Sequence, residues 1–89
     1  MVWHINISDS AKKQLQKLDR QTAQRITGYL RERVMTIENP RLLGAALQGS
    51  RLGELWKYRV ADYRIIARIK DQELEILVVK IGHRREVYR

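Results

Sequence analysis

Lys57, Arg59 and Arg64 stand close together in the stretch Leu55 to Arg68, LWKYRVADYRIIAR, and a second polar set follows in the tail Gly82-His83-Arg84-Arg85-Glu86-Val87-Tyr88-Arg89. Guanidinium groups grip phosphate oxygens in a planar fork and stay charged at any working pH. Several cations aimed at one phosphate would stabilise the extra negative charge of five-coordinate phosphorus in a transition state. RNA carries its own nucleophile, the 2′-hydroxyl beside the scissile phosphate. Cleaving it requires a proton acceptor, a proton donor, in-line geometry and charge stabilisation. Tyr88 offers a phenol, and cations around a phenol favour its ionised form. His83 offers an imidazole, a group that titrates nearer neutrality. Both stand as candidate bases beside Lys57, Arg59, Arg64 and Arg84. No HxH, DxD or His/Cys grouping stands at ligand spacing, so no metal and no other cofactor is expected.

These groups act together only if the backbone gathers them on one surface. Taking Ala61-Asp62 as a tight turn pairs Val60 with Tyr63, Arg59 with Arg64, Tyr58 with Ile65 and Trp56 with Ala67. Side chains alternate across a strand. One face then carries Trp56, Tyr58, Val60, Tyr63, Ile65 and Ala67, and the other Lys57, Arg59, Arg64, Ile66 and Arg68. Two arginines directly opposed repel one another, a cost easier to understand if an anion sits between them. Upstream, Val2 to Ile7 reads as a first strand. Ser8-Asp9-Ser10 offers helix-capping oxygens before a helix with Ala11, Leu15 and Leu18 on one face. Asp19 caps a second helix, where Ala23, Ile26, Leu30, Val34 and Ile37 recur at spacings of three or four. Gly28 costs that helix about 1 kcal/mol against alanine, and the ring of Pro40 ends it.

Arg41 to Glu54, with Gly44, Gly49 and Gly53, reads as a mobile connection holding at most one helical turn. A second tight turn at Asp71-Gln72 would pair Lys70 with Glu73, Arg68 with Glu75, Ile69 with Leu74, Ala67 with Ile76 and Ile65 with Val78. The expected fold is α+β in the order β-α-α-β-β-β, one domain over residues 1–89. A helical hairpin packs on one face of a small antiparallel sheet. The other face stays open, and Gly82 lets the tail bend back across it.

A net charge of +8 on 89 residues points to a polyanion: nucleic acid, an acidic protein or an anionic membrane surface. No apolar run approaches the roughly 18 residues of a membrane span, and no signal-peptide pattern opens the chain. The lack of cysteine fits a cytoplasmic protein. Plainer readings compete. Lys57 and Arg59 are also what the wet face of a half-buried sheet carries, and Trp56 and Tyr58 read as core. Arg68 and Glu75 read as a surface ion pair of little energetic worth, and His4 has no implied role.

The element order, the opening SDSAKKQLQKLD, the hairpin LWKYRVADYRII and the ending VVKIGHRREVY together resemble the RelE/ParE superfamily of toxins from toxin–antitoxin systems, over almost the whole chain. The resemblance implies a cytoplasmic bacterial toxin held inactive by a cognate acidic antitoxin. Operator DNA would be bound only through the toxin–antitoxin complex, and no membrane is involved. RelE-like members cleave mRNA in the ribosomal A site. ParE-like members poison DNA gyrase and lack the cationic cleavage set. Lys57 and Arg59 match the strand cations of the cleaving branch, and Arg64 its phosphate-gripping arginine. Arg84 matches its proton donor or charge stabiliser, and Tyr88 its terminal tyrosine, while His83 is a position that takes over acid/base work in related branches. The set implies an endoribonuclease; a gyrase inhibitor and a non-catalytic basic RNA- or ribosome-binding module are the alternatives.

Overall fold

The computed structural model describes residues 3–49 and 54–88. Along them run β1 (His4–Ile7), α1 (Asp9–Gln16), α2 (Arg20–Tyr29), β2 (Ala45–Ala46), β3 (Leu55–Val60), β4 (Tyr63–Lys70) and β5 (Glu75–His83). Local chemistry sets the boundaries. The Ser8 hydroxyl accepts from the Ala11 amide, and the Asp19 carboxylate accepts from Thr22, each satisfying an open N–H at a helix start. Past Tyr29 the second helix loosens into a π-helical turn, Leu30–Val34, closed by the Met35 amide on the Leu30 carbonyl. Asn39 is extended, as a residue before proline must be, and Pro40–Leu42 form a short 3-10 turn.

The strands join in the order β1-β5-β4-β3-β2. The helices cover one face of this sheet. Ala11, Ile26, Leu30 and Val34 are buried there against Tyr58, Ile65, Ala67, Ile69, Ile76, Val78 and Ile81. Burial raises the Tyr58 phenol well above the ordinary tyrosine range, reinforced by nearby Tyr29 and opposed by Arg41. It therefore stays protonated and donates to the Pro40 carbonyl at 2.7 Å.

The β3–β4 hairpin has the register expected from its residues, with Arg59 opposite Arg64 and Tyr58 opposite Ile65. Four expectations need correction. The sheet is mixed rather than antiparallel, because β1 pairs with β5 in parallel, Ile5 facing Ile76. The connection after Pro40 contributes an edge strand, Ala45–Ala46 on Lys57 and Trp56. The first strand begins at His4; Val2 lies outside the described residues, as do Gly53 and Arg89. The β4–β5 turn takes four residues, Asp71 to Leu74, so Lys70 faces Glu75 and Ala67 faces Val78. Leu74 accepts a left-handed φ of 51° to close that turn and packs on the core. Its carbonyl receives the His4 amide at 2.8 Å, an anchor for β1 that a two-residue turn would remove. Arg68 consequently pairs with Glu54 instead of Glu75, and Glu75 pairs with Lys70 at 3.3 Å.

The far end of the turn is tied by Arg41, which reaches Asp71 through two hydrogen bonds of 2.7 and 3.0 Å. That hydrogen-bonded guanidinium holds the Asp71 carboxyl below the usual range. A depressed folded-state value stabilises the fold above the ordinary carboxylate pKa and loses that contribution as pH falls through the folded value. Asp71→Asn should flatten the acid limb of a stability–pH curve while leaving the neutral region within about 1 kcal/mol.

Two glycines should respond in opposite directions. Gly44 has φ 73°, and an added Cβ would lie 2.2 Å from the Lys57 carbonyl. Gly44→Ala must therefore push β2 off β3, costing about 2–3 kcal/mol, or roughly 10–20 °C in melting temperature. At Gly28 a Cβ would meet nothing within 4 Å, so Gly28→Ala should raise stability by up to about 1 kcal/mol. Thermal and urea denaturation of both variants check the pair.

Candidate active site

Across the helix-free face, side chains fall into rows set by the strand register. Lys57, Ile66 and Lys80 form one row over β3, β4 and β5, and Arg59, Arg64 and Gly82 form the next. The tail turns back over this face. The amides of Glu86 and Val87 both donate to the His83 carbonyl, at 2.8 and 2.9 Å, and the Arg84 amide donates to the Asp62 carbonyl at 2.8 Å. Val87 is only 2 % exposed. It rests on the bare backbone of Gly82, where a Cβ would come within 3.4 Å of its own Cβ. The next residue, Tyr88, is 53 % exposed, and the Lys57 ammonium lies 5.7 Å from its ring centroid.

Two depressions share Lys57. The larger, about 700 Å³, has apolar walls from Leu47, Leu55, Ile66 and Val87, with Lys57, Lys80 and Tyr88 also lining it. The smaller, about 280 Å³, is lined by Lys57, Arg59 and Arg64 with Gly44 and Ala45 of the edge strand. Arg59 is exposed. Arg64 turns its guanidinium back onto the hairpin, donating to the carbonyls of Tyr63 at 3.0 Å and Ala61 at 3.3 Å. Those carbonyl dipoles take up part of the charge that faces Arg59, which is how the hairpin carries two opposed arginines. Arg84 sits at the same end of the sheet, with Nη1 3.9 Å from Asp62.

His83 stands apart from the other five. Alternation along β5 turns it to the helix side, where its ring meets Tyr63 edge-on at 5.6 Å and 80°. It lines a different cavity with Gln14 and Leu18. Its Nδ1 accepts from the Arg85 amide at 3.2 Å, so the neutral ring carries its proton on Nε2. The acceptor nitrogen is occupied by the tail itself.

One cation of this face, Lys80, is absent from the set read off the sequence. An unbroken β4–β5 ladder would put Lys80 on the helix side with Val78. The ladder instead carries a bulge: Ala67 faces Val78 but Ile66 faces Lys80, leaving Val79 as the extra residue. One inserted residue reverses the faces of everything after it. The buried positions record this as a change of step, Ile76 and Val78 two apart and then Ile81 three further on. Among the described residues, no three His, Cys, Asp or Glu side chains converge as a metal site.

Because Val87 is the apolar anchor of the tail, Val87→Ala should loosen it without unfolding the sheet. Losing two buried methyl groups costs about 1.5 kcal/mol. Trypsin cleavage after Arg84 and Arg85, followed by mass spectrometry, should then run about tenfold faster, with the far-UV spectrum unchanged.

Residues 5–88 match the family described as ParE toxin of type II toxin-antitoxin system, parDE. A protein of Escherichia coli described as a RelE-like toxin is 29% identical over 84 residues, covering 94% of this chain and 85% of that protein. Among solved structures, the toxin–antitoxin complex RelBE2 of Mycobacterium tuberculosis aligns with a TM-score of 0.80 at 18% identity, over 93% of this chain and 99% of that one. A double arginine-to-alanine variant of Escherichia coli RelE in the free state aligns with a TM-score of 0.78 at 24% identity, over 99% and 92%. The intact Escherichia coli RelBE toxin–antitoxin complex gives 0.74 at 20%, over 91% and 95%. At these identities the structures speak for the fold, and the family match over nearly the full length supplies the rest. The chain belongs to the RelE/ParE superfamily and is a toxin of a type II toxin–antitoxin system.

Proposed function

We propose that this toxin is a ribosome-dependent, metal-independent endoribonuclease that cuts mRNA by attack of a 2′-hydroxyl on the adjacent phosphate, and so stops translation in the cytoplasm. The observation that carries the reading is the tail lying over the open face, with the Tyr88 ring beside the Lys57 ammonium and Arg59 and Arg64 in the neighbouring row. In this reading Lys57 stabilises Tyr88 as the phenolate, which takes the 2′-hydroxyl proton and becomes the neutral phenol as the 2′-oxygen bonds to phosphorus. Arg59 and Arg64 hold the phosphate oxygens, and Arg64 exchanges its two carbonyl acceptors for them. Arg84, released from its long contact with Asp62, stabilises the leaving oxygen. So sparse a site leaves the bending of mRNA into in-line geometry to the ribosomal A site.

The antitoxin is an acidic, RelB-like chain that neutralises the +8 toxin by covering or dismantling this face. Operator DNA is bound through the antitoxin in the complex. The support is that the RelE structures similar to this fold include complexes with RelB partners. A second reading, inhibition of DNA gyrase, is favoured by one observation: the matching family is described by the name ParE. Gyrase poisoning would need a binding surface and no proton transfer.

Primer extension on translated and untranslated mRNA after induction separates the two. Cuts within codons, only under translation, are expected. Intact transcripts with a DNA-damage response would favour gyrase, and ribosome binding without cutting or growth arrest would leave a non-catalytic module. Arg64→Ala, Arg84→Ala and Tyr88→Phe should each slow cleavage in a reconstituted translation system by at least about 100-fold. His83→Gln should cost less than about tenfold, since its ring lies on the helix side. Normal cleavage by the arginine or tyrosine variants would refute their roles.

A further inference from the structure

Lys80 is the charged residue of an otherwise apolar run, Val78-Val79-Lys80-Ile81, and the bulge at Val79 is what turns it to the open face. A regular ladder would direct this charge toward α1. It stands in the same row as Lys57, with Ile66 between them, and lines the same cleft as Lys57 and Tyr88. Two strand spacings separate the backbones of the two lysines by about 10 Å. Lysine is long enough to cover part of that distance from either side. A polyanionic strand laid across β3, β4 and β5 would therefore meet one ammonium and then the other, with Ile66 and Val87 forming an apolar floor that the lysine stems can lie along.

We propose that Lys80 is a further substrate-holding residue, taking a backbone phosphate next to the scissile one and so fixing the direction in which single-stranded RNA crosses the sheet. The proposal rests on the endoribonuclease reading above and deepens it. Tyr88 and Lys57 handle the reacting groups, whereas Lys80 touches a phosphate that does not change charge during the reaction. Its contribution is the same in ground and transition states, so its loss appears in half-saturation rather than in the saturated rate.

The competing role is structural. Lys80 and Glu86 line one cavity on the side toward α1, and a pairing between them would brace the tail. Single-turnover cleavage on ribosomes programmed with a short mRNA distinguishes these. The toxin concentration is varied, and melting temperatures are measured in parallel. Lys80→Gln should raise the half-saturating concentration about 10- to 100-fold while changing the saturated rate less than about threefold, and Lys80→Arg should restore it. Glu86→Gln should leave both parameters near wild type. Equal half-saturation for Lys80→Gln and wild type would overturn the assignment. So would a Glu86→Gln variant that reproduces the loss, or a Lys80→Gln defect confined to the saturated rate. Absence of cutting by the wild type would sink the endoribonuclease reading and the Lys80 assignment with it, an outcome distinct from a wild type that cuts and a Lys80→Gln variant that matches it.

Discussion

The contact of Val87 with the backbone of Gly82 is the constraint on which the candidate site depends. A sheet with helices on one side only leaves its second face in water, where a tail has little to hold it. Here one valine is almost completely withdrawn from solvent, against a residue with no side chain of its own. Full burial of a valine is worth about 1.5–3 kcal/mol, which together with the backbone hydrogen bonds of Arg84, Glu86 and Val87 opposes the entropy cost of ordering the tail. Because Val87 is fixed, Tyr88 has a defined place beside Lys57. A side chain so near the end of the chain thereby becomes part of a surface.

That surface gathers charge at some cost to the folded state. Arg59 faces Arg64 across two strands, Lys57 and Lys80 share the row beside them, and Arg84 closes the end. Arg84 keeps a long contact with Asp62, 3.9 Å from Nη1 to the carboxylate. Three other carboxylates pair with cations outside this group, Asp71 with Arg41, Glu75 with Lys70 and Glu54 with Arg68. Arg64 leans on two carbonyls through its Nη1, neutral acceptors that leave its charge in place. A face built this way is most stable with an anion on it. Under the proposed function, an acidic antitoxin and a phosphate backbone would compete for this same charged face.

The sequence was most legible where local chemistry and burial agree. Ser8 and Asp19 each cap the helix they precede, and the turn at Ala61-Asp62 gives the first hairpin the expected register, with Ile66 the apolar member of the basic face. Legibility ended at the second hairpin. Asp71-Gln72 is a plausible two-residue turn, and a slip of two residues leaves all faces unchanged, so polarity alone could not expose the error. The bulge at Val79 was harder still. Val78, Val79 and Ile81 are interchangeable as apolar residues, and only the three-dimensional ladder decides which of them is extra. The parallel strand β1 was equally hidden, because its partner lies some seventy residues away and its anchor is a backbone bond from His4 to Leu74. The consequence fell on function as well as fold: Lys80 joined the basic face, while His83 fell on the far side.

This last separation bears on the chemistry. A base for the 2′-hydroxyl, in the reaction proposed above, would have to share a space with the cations proposed to hold the phosphate. Tyr88 does so, being exposed in the cleft with Lys57. The His83 ring stands behind the sheet against Tyr63, and its Nδ1 is engaged by Arg85. Moving that ring to the open face would require breaking the very turn that carries Val87 and Tyr88. The two candidate bases are therefore not alternatives within one geometry. A fold that keeps the tail docked favours the phenol, and one that recruits the imidazole gives up the phenol's position. The docked tail, with its buried valine and its amides paired on His83 and Asp62, is the geometry in which a phenol and the cations of the open face share one surface.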